Sequence, residues 1–259
     1  IKWFLMFELF TDNYILYIIF LIIFLISGFV KGVTGIGLPL TSIALLTFFI
    51  NPLQAIGLNM IPVIVANFQQ YISAESPMNT AKKYKVFAIT MLVFIFITSF
   101  QAVILGDEIL KLLIGILVVI FALDNLFRRA WSFDIKNDRL WQLGMGSIAG
   151  IIGGLTSIWG VPIIIYLILR KASPQEFVDT TGFLFLIAVI PATIGYYYTG
   201  VFLLEMVPIA IFCAVFAVIG MRLGRYVRLK INAETFKKVL LCLFFIIGVR
   251  LISSFFGVM

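Results

Sequence analysis

The chain has 259 residues, of which 63% are hydrophobic and 12% charged, with a mean hydropathy of +1.16. Soluble domains carry roughly 25% charged residues, so this composition excludes a water-soluble globular protein. The net charge of +7 therefore reads as a topology signal placed along the chain and not as a nucleic-acid footprint.

The first apolar stretch runs from Tyr14 to Val30 and continues without an A-x-A-like cleavage site, so it is expected to stay in the mature protein and not to act as a signal peptide. Together with the text up to Ile50 it predicts an apolar hairpin interrupted at GFVKGVTGIGLP, residues 28–39. After the uncharged break at Asn51 and Pro52 comes one crossing from Ala55 to Ile72, with Pro62 in its middle. Neighbouring helices re-satisfy the carbonyl that such a proline frees in a membrane.

A basic cluster follows at Lys82, Lys83 and Lys85, and then two crossings, Phe87 to Leu105 and Ile109 to Phe127, separated by Asp107 and Glu108. Arg128, Arg129, Lys136 and Arg139 form the second basic cluster. Leu140 to Leu169 predicts a second interrupted hairpin, closed by Arg170 and Lys171. The crossings Phe183 to Tyr198, Leu203 to Met221 and Val239 to Phe256 complete the chain, with Arg222, Arg225, Arg228, Lys230, Lys237 and Lys238 between the last two. Segments rich in Lys and Arg stay on the cytoplasmic side. The four clusters are therefore expected inside, and the breaks at Asn51, Asp107 and Gly200 outside.

The two hairpins share a pattern. Gly28, Gly32, Thr34 and Pro52 recur as Gly150, Gly154, Thr156 and Pro174 at one constant offset, and Pro39 recurs as Pro162 after a slip of one residue. The first hairpin starts outside and the second inside. The expected fold is thus an all-α polytopic membrane protein of two inverted-topology repeats, about 14–127 and 140–257, each a Gly/Pro-broken helical hairpin followed by three transmembrane helices. All of it forms one membrane domain, 1–259, in a cell membrane, the prokaryotic inner or plasma membrane.

Inverted repeats place a substrate near the midplane where helices are broken, because unwound backbone survives in a membrane only against protein or a wet cavity. Free N–H groups and the positive end of a following half-helix favour an anion there. The candidate binding residues are Gly32, Thr34, Gly35, Gly37 and Pro39 at the first break, and Gly154, Thr156, Ser157, Trp159, Gly160 and Pro162 at the second. Asn59 and Thr181 occupy matching places in the crossing after each hairpin and join the set. Lys31 beside the first break has two readings: a cation that neutralises an anion in transit, or a lysine that snorkels to the inner face. Gly28 with Gly32, and Gly150 with Gly154, are small-xxx-small pairs that also serve close helix packing.

Several other polar residues have ordinary membrane uses. Asp124 sits four residues before Arg128, the spacing of a helix-surface ion pair, and Arg250 is placed to snorkel at the outer end of the last helix. Asn67, Gln69, Gln70 and Gln101 suit interhelical hydrogen bonds. Trp3, Trp131, Trp141 and Tyr196 to Tyr198 read as interfacial belt residues.

The motifs GFVKGVTGIGLP, NPLQAIGLN, GIIGGLTSIWGVPIIIYLI, ASPQEFVDTTGFLFLI and GYYYTG, in that order and spacing, resemble the sulfite exporter TauE/SafE family of membrane permeases over nearly the whole chain. The resemblance implies transport of sulfite, organosulfonates or related sulfur anions, more often as export. Family members often carry a run of glycines after the first G-x-G, where this chain has Leu38 and Pro39. The expected partners are a small anionic substrate and the lipid bilayer, with no nucleic acid, and a homodimer is left open.

Histidine is absent and no G-x-x-x-x-G-K-[ST] loop is present. The commonest general base and an ATPase site are thereby missing, and no enzyme activity, metal or cofactor is expected. Cys213 and Cys242 lie in apolar segments and read as packing residues. Two alternatives stay beside the permease: an anion channel with the same lining, and a non-transport membrane assembly subunit.

Overall fold

A computed structural model describes residues 14–73, 77–127, 135–228 and 233–257. Trp3, Arg128, Arg129, Trp131 and Lys230, and with Arg128 the expected pairing with Asp124, lie outside the described residues. The described chain is all α-helical: α1 Tyr14–Thr34, α2 Leu38–Leu46, α3 Pro52–Ile72, α4 Pro77–Lys83, α5 Lys85–Ser99 and α6 Ala102–Phe127 are followed by α7 Asp138–Thr156, α8 Gly160–Leu169, α9 Pro174–Tyr198, α10 Val207–Arg228 and α11 Ala233–Phe255. A 3-10 turn, Leu204–Met206, leads into α10. Three stretches, Tyr14–Thr34, Pro174–Tyr198 and Leu204–Arg228, are long and apolar enough to cross a membrane.

The distribution of side chains is that of a molecule solvated by lipid. On α10 the residues turned inward are mostly small, Ala210, Cys213, Ala214, Ala217, Gly220 and Gly224 with Met221 among them, whereas Ile211, Phe212, Val215, Ile219 and Leu223 point outward. On α1 the exposed row is Ile15, Ile18, Ile22 and Ile26. A helix apolar all round belongs in a core or a bilayer, and here the bulky face is the outer one.

Small residues set the closest helix pairs. A Cβ on Gly28 or Gly32 of α1 would run into the backbone of Ala217 or Met221 on α10, and Gly220 and Gly224 meet Leu25 and Phe29 in return. On the other side of the molecule Gly146 and Gly150 of α7 meet Phe87 and Met91 of α5, and Gly154 meets Thr98 and Ile95. α6 pairs with α11, through Gly115 and Gly248, and α3 packs between α9 and α10.

Helix starts follow local chemistry. Asn51 caps α3 by accepting from Gln54 N, and the Gln54 side chain accepts from Asn51 N, with Pro52 in the first turn. Ser173 caps α9 in the same way, accepting from Glu176 N before Pro174. α9 is therefore longer than the expected crossing: the cap carries the helix back from Phe183 to Pro174. The turn between the expected crossings Phe87 to Leu105 and Ile109 to Phe127 also sits earlier than composition suggests. α5 stops at Ser99, and Gly106, at φ 74°, bends the chain inside α6.

Candidate functional site

Both hairpins break where the sequence places glycine or a short polar residue. At the first break Gly35 and Gly37 hold φ 82° and 96°, a left-handed backbone that glycine adopts without steric cost. At the second, Ser157 takes φ 60° without being glycine. Thr34 and Thr156 close the two breaks in the same manner. Each hydroxyl donates to the carbonyl four residues back, Val30 or Ile152, and accepts from the N–H two residues on, Ile36 or Ile158. Their hydroxyls shape the breaks and are already engaged there.

The first break opens into a cavity of about 230 Å³. Its floor is Lys31, Gly32 and Gly35, and its mouth carries Ser73, Gln175, Arg225 and Arg228, all exposed. No carboxylate lines it. Lys31 is 2% exposed and buried within the protein. Its Nζ donates to Asn67 Oδ1 at 2.7 Å and stands 5.7 Å from the centroid of the Phe185 ring. The buried carboxylate of α9, Asp179, accepts from Gln175 Nε2 instead. Among the described residues no carboxylate neutralises Lys31. An ammonium taken from water without a counter-charge is costly.

The second break is closed. Tyr196 of α9 is fully buried and donates to Gly154 O at 2.8 Å, with Gly153 O at 3.3 Å. Thr98 Oγ1 lies within 3.2 Å of Gly150 O, and the Ser99 side chain fills the space beside Gly195. Ser157 Oγ and Trp159 Nε1 are buried without a hydrogen-bond partner among the described residues, and so is Asn59 Nδ2, whose Oδ1 accepts from Ser42. Unmade hydrogen bonds of buried groups cost about 1–3 kcal/mol each, and orphaned donors of this kind suit a ligand rich in acceptor oxygens.

The two breaks meet at a second, small cavity of about 10 Å³, lined by Gly37, Pro39 and Leu40 from the first hairpin and Ile158, Gly160 and Val161 from the second. That volume accommodates about one water. Pro162 is buried as the third residue of α8, next to Val161, and Thr181 donates to Phe177 O and accepts from Gln70 Nε2. Of the candidate residues, Lys31, Gly32 and Gly35 share the larger cavity, and Gly37, Pro39 and Gly160 share the smaller one. Gly154 is occupied in packing against α5.

Composition and spacing did not single out Phe185, Arg225 or Arg228 as site residues. The arginines sit in a basic cluster that serves topology, and only the packing of α10 against α1 brings them to the cavity mouth.

A third constellation fastens the start of α7 and the end of α8. Asp138 pairs with Arg170 and accepts from Tyr166 and Gln142, while Glu176 accepts from Lys83 and Tyr84. Arg170 also lies over the Tyr84 ring.

Buried cationic and donor groups on broken helices, within a lipid-solvated bundle, define a membrane transport protein. The chain belongs to the sulfite exporter TauE/SafE family, whose model matches residues 19–251. It is accordingly a multi-pass membrane protein of a transporter family and not an enzyme. Comparisons with curated proteins and with solved structures gave no match.

Proposed function

We propose that the protein is a permease for small anions, sulfite, sulfonates or related sulfur oxyanions, and that it exports them by alternating access at a site between the two broken hairpins. The observation that carries this reading is Lys31, buried without a carboxylate at the floor of a cavity whose mouth bears Arg225 and Arg228. By the positive-inside rule that mouth faces the cytoplasm, where an exported anion is collected.

The pairing of elements supports two inverted repeats, about 14–127 and 140–257. The hairpin helix α1 packs on α10, and α7 packs on α5; if the halves correspond in chain order, these are the same contact made twice. α6 with α11, and α3 with α9, are then the pairs that cross the pseudo-twofold axis. On this reading the halves are in different states, with the first break open to the larger cavity and the second sealed by Tyr196, and exchange of those states moves the anion.

The test is initial uptake of labelled sulfite and of methanesulfonate into proteoliposomes of known orientation. Saturable flux is expected, with Ser157→Ala and Trp159→Phe each lowering it about 10- to 100-fold, the loss of one hydrogen bond to a charged group. Flux that does not saturate favours a channel, flux of neither anion removes the substrate class, and unchanged flux in both variants moves the site elsewhere.

Tyr196→Phe removes the donor that closes the second break. A hydrogen bond of about 1 kcal/mol shifts the balance of the two states about fivefold toward opening there. The expected result is faster labelling of a Ser157→Cys thiol by an impermeant reagent from the outer side, and an unchanged rate would show that Tyr196 is not the seal.

A further inference from the structure

Phe185 connects the small cavity, which it lines, with Lys31 of the larger one. It is 1% exposed, and its ring lines the small cavity beside Gly37, Pro39 and Gly160. The same ring lies under Lys31 Nζ, 5.7 Å from its centroid, and the lysine in turn lines the larger cavity. On its other side Trp159 of the second break meets it edge-on at 6.4 Å between centroids. A Cβ on Gly160 would touch Phe185 Cζ at 3.0 Å, so the absence of a side chain at 160 is what lets the ring reach across. The apolar ring thus lies between Lys31, which lines the basic cavity, and the small cavity at the junction of the two broken helices.

We propose that Phe185 is the specificity-determining constriction of the translocation path: it separates the Lys31 vestibule from the space between the breaks and limits the size of the anion that passes. The inference rests on the permease reading for its meaning, but the wall itself is testable without transport. With the site empty, the Lys31 charge holds the ring through its π face. An anion that takes up that charge weakens the hold, while a neutral solute leaves the ring in place. The constriction therefore selects for charge as well as for size.

The experiment is thiol labelling of Ile158→Cys, on the wall of the small cavity, in a chain that also carries Cys213→Ala and Cys242→Ala. The probe is a negatively charged methanethiosulfonate, applied to purified protein in detergent. With Phe185 present, labelling is expected to be slow; adding Phe185→Ala raises the rate tenfold or more, and Phe185→Val, the smaller change if the alanine variant does not fold, raises it at least threefold. Equal rates with and without the ring overturn the constriction.

Proteoliposome flux separates this inference from the reading beneath it. The native chain is expected to carry methanesulfonate and exclude benzenesulfonate, and Phe185→Ala to admit both. Ring-independent labelling with saturable sulfite flux removes the constriction and leaves the permease. Ring-dependent labelling with no flux of any anion keeps the constriction and removes the permease.

Discussion

Replacing Lys31 with methionine is expected to weaken anion transport about 10- to 100-fold without unfolding the protein. A hydrogen bond to a charged group contributes about 1.5–3 kcal/mol, and Lys31 is the one cation on the cavity floor. The stability effect has the opposite sign to the functional one. Lys31 gives up its hydration and receives only Asn67 Oδ1 and the Phe185 face in return, so an unbranched apolar side chain of similar length removes a desolvation cost. The thermal midpoint is expected to stay level or rise while the apparent KM rises. A variant that loses both stability and flux would mean that Lys31 holds the helices together and does not serve the anion.

The glycines of the hairpins give the opposite pattern. Gly28→Val drives a side chain into the Ala217 backbone of α10, which cannot yield as a flexible side chain can. Overpacking of this kind typically costs about 1–3 kcal/mol, and the longest helix contact in the molecule, α1 on α10, has to open to relieve it. The expected result is a sharp fall in monodisperse protein after extraction, with substrate preference unchanged in whatever folds. Gly144→Val, where a Cβ meets nothing within 4 Å, is the matched control and is expected to behave as the native chain. A normal yield of Gly28→Val with altered substrate preference would instead place Gly28 in the binding site.

The class of protein was legible from composition, and the helix breaks from their glycines and prolines, because those signals are local. The φ angles of Gly35 and Gly37 and the proline-led starts of α3 and α9 follow directly from residue type. Side-chain roles were less legible. Thr34 and Thr156 looked like ligand donors from their position, but a threonine at a break has its own carbonyl four residues back within reach and uses it. Lys31 stood between two readings because sequence gives its distance along the helix and not what surrounds it. The packing of α3 and α9 supplies Asn67 and Phe185 as its neighbours.

Phe185 was hidden for a related reason. A phenylalanine inside an apolar run carries no chemical mark, and its place between Lys31 and the small cavity exists only once the helices are packed. Arg225 and Arg228 carried a mark, but one that topology alone accounted for.

If an anion bound near Lys31 crosses by exchange of the open and sealed states of the two breaks, counterflow reveals it. Vesicles holding the purified protein are loaded with unlabelled sulfite and diluted into a trace of labelled sulfite. The account predicts a transient accumulation of label above its equilibrium level, absent in Lys31→Met. Label that rises only to equilibrium, at a rate indifferent to internal sulfite, would contradict it.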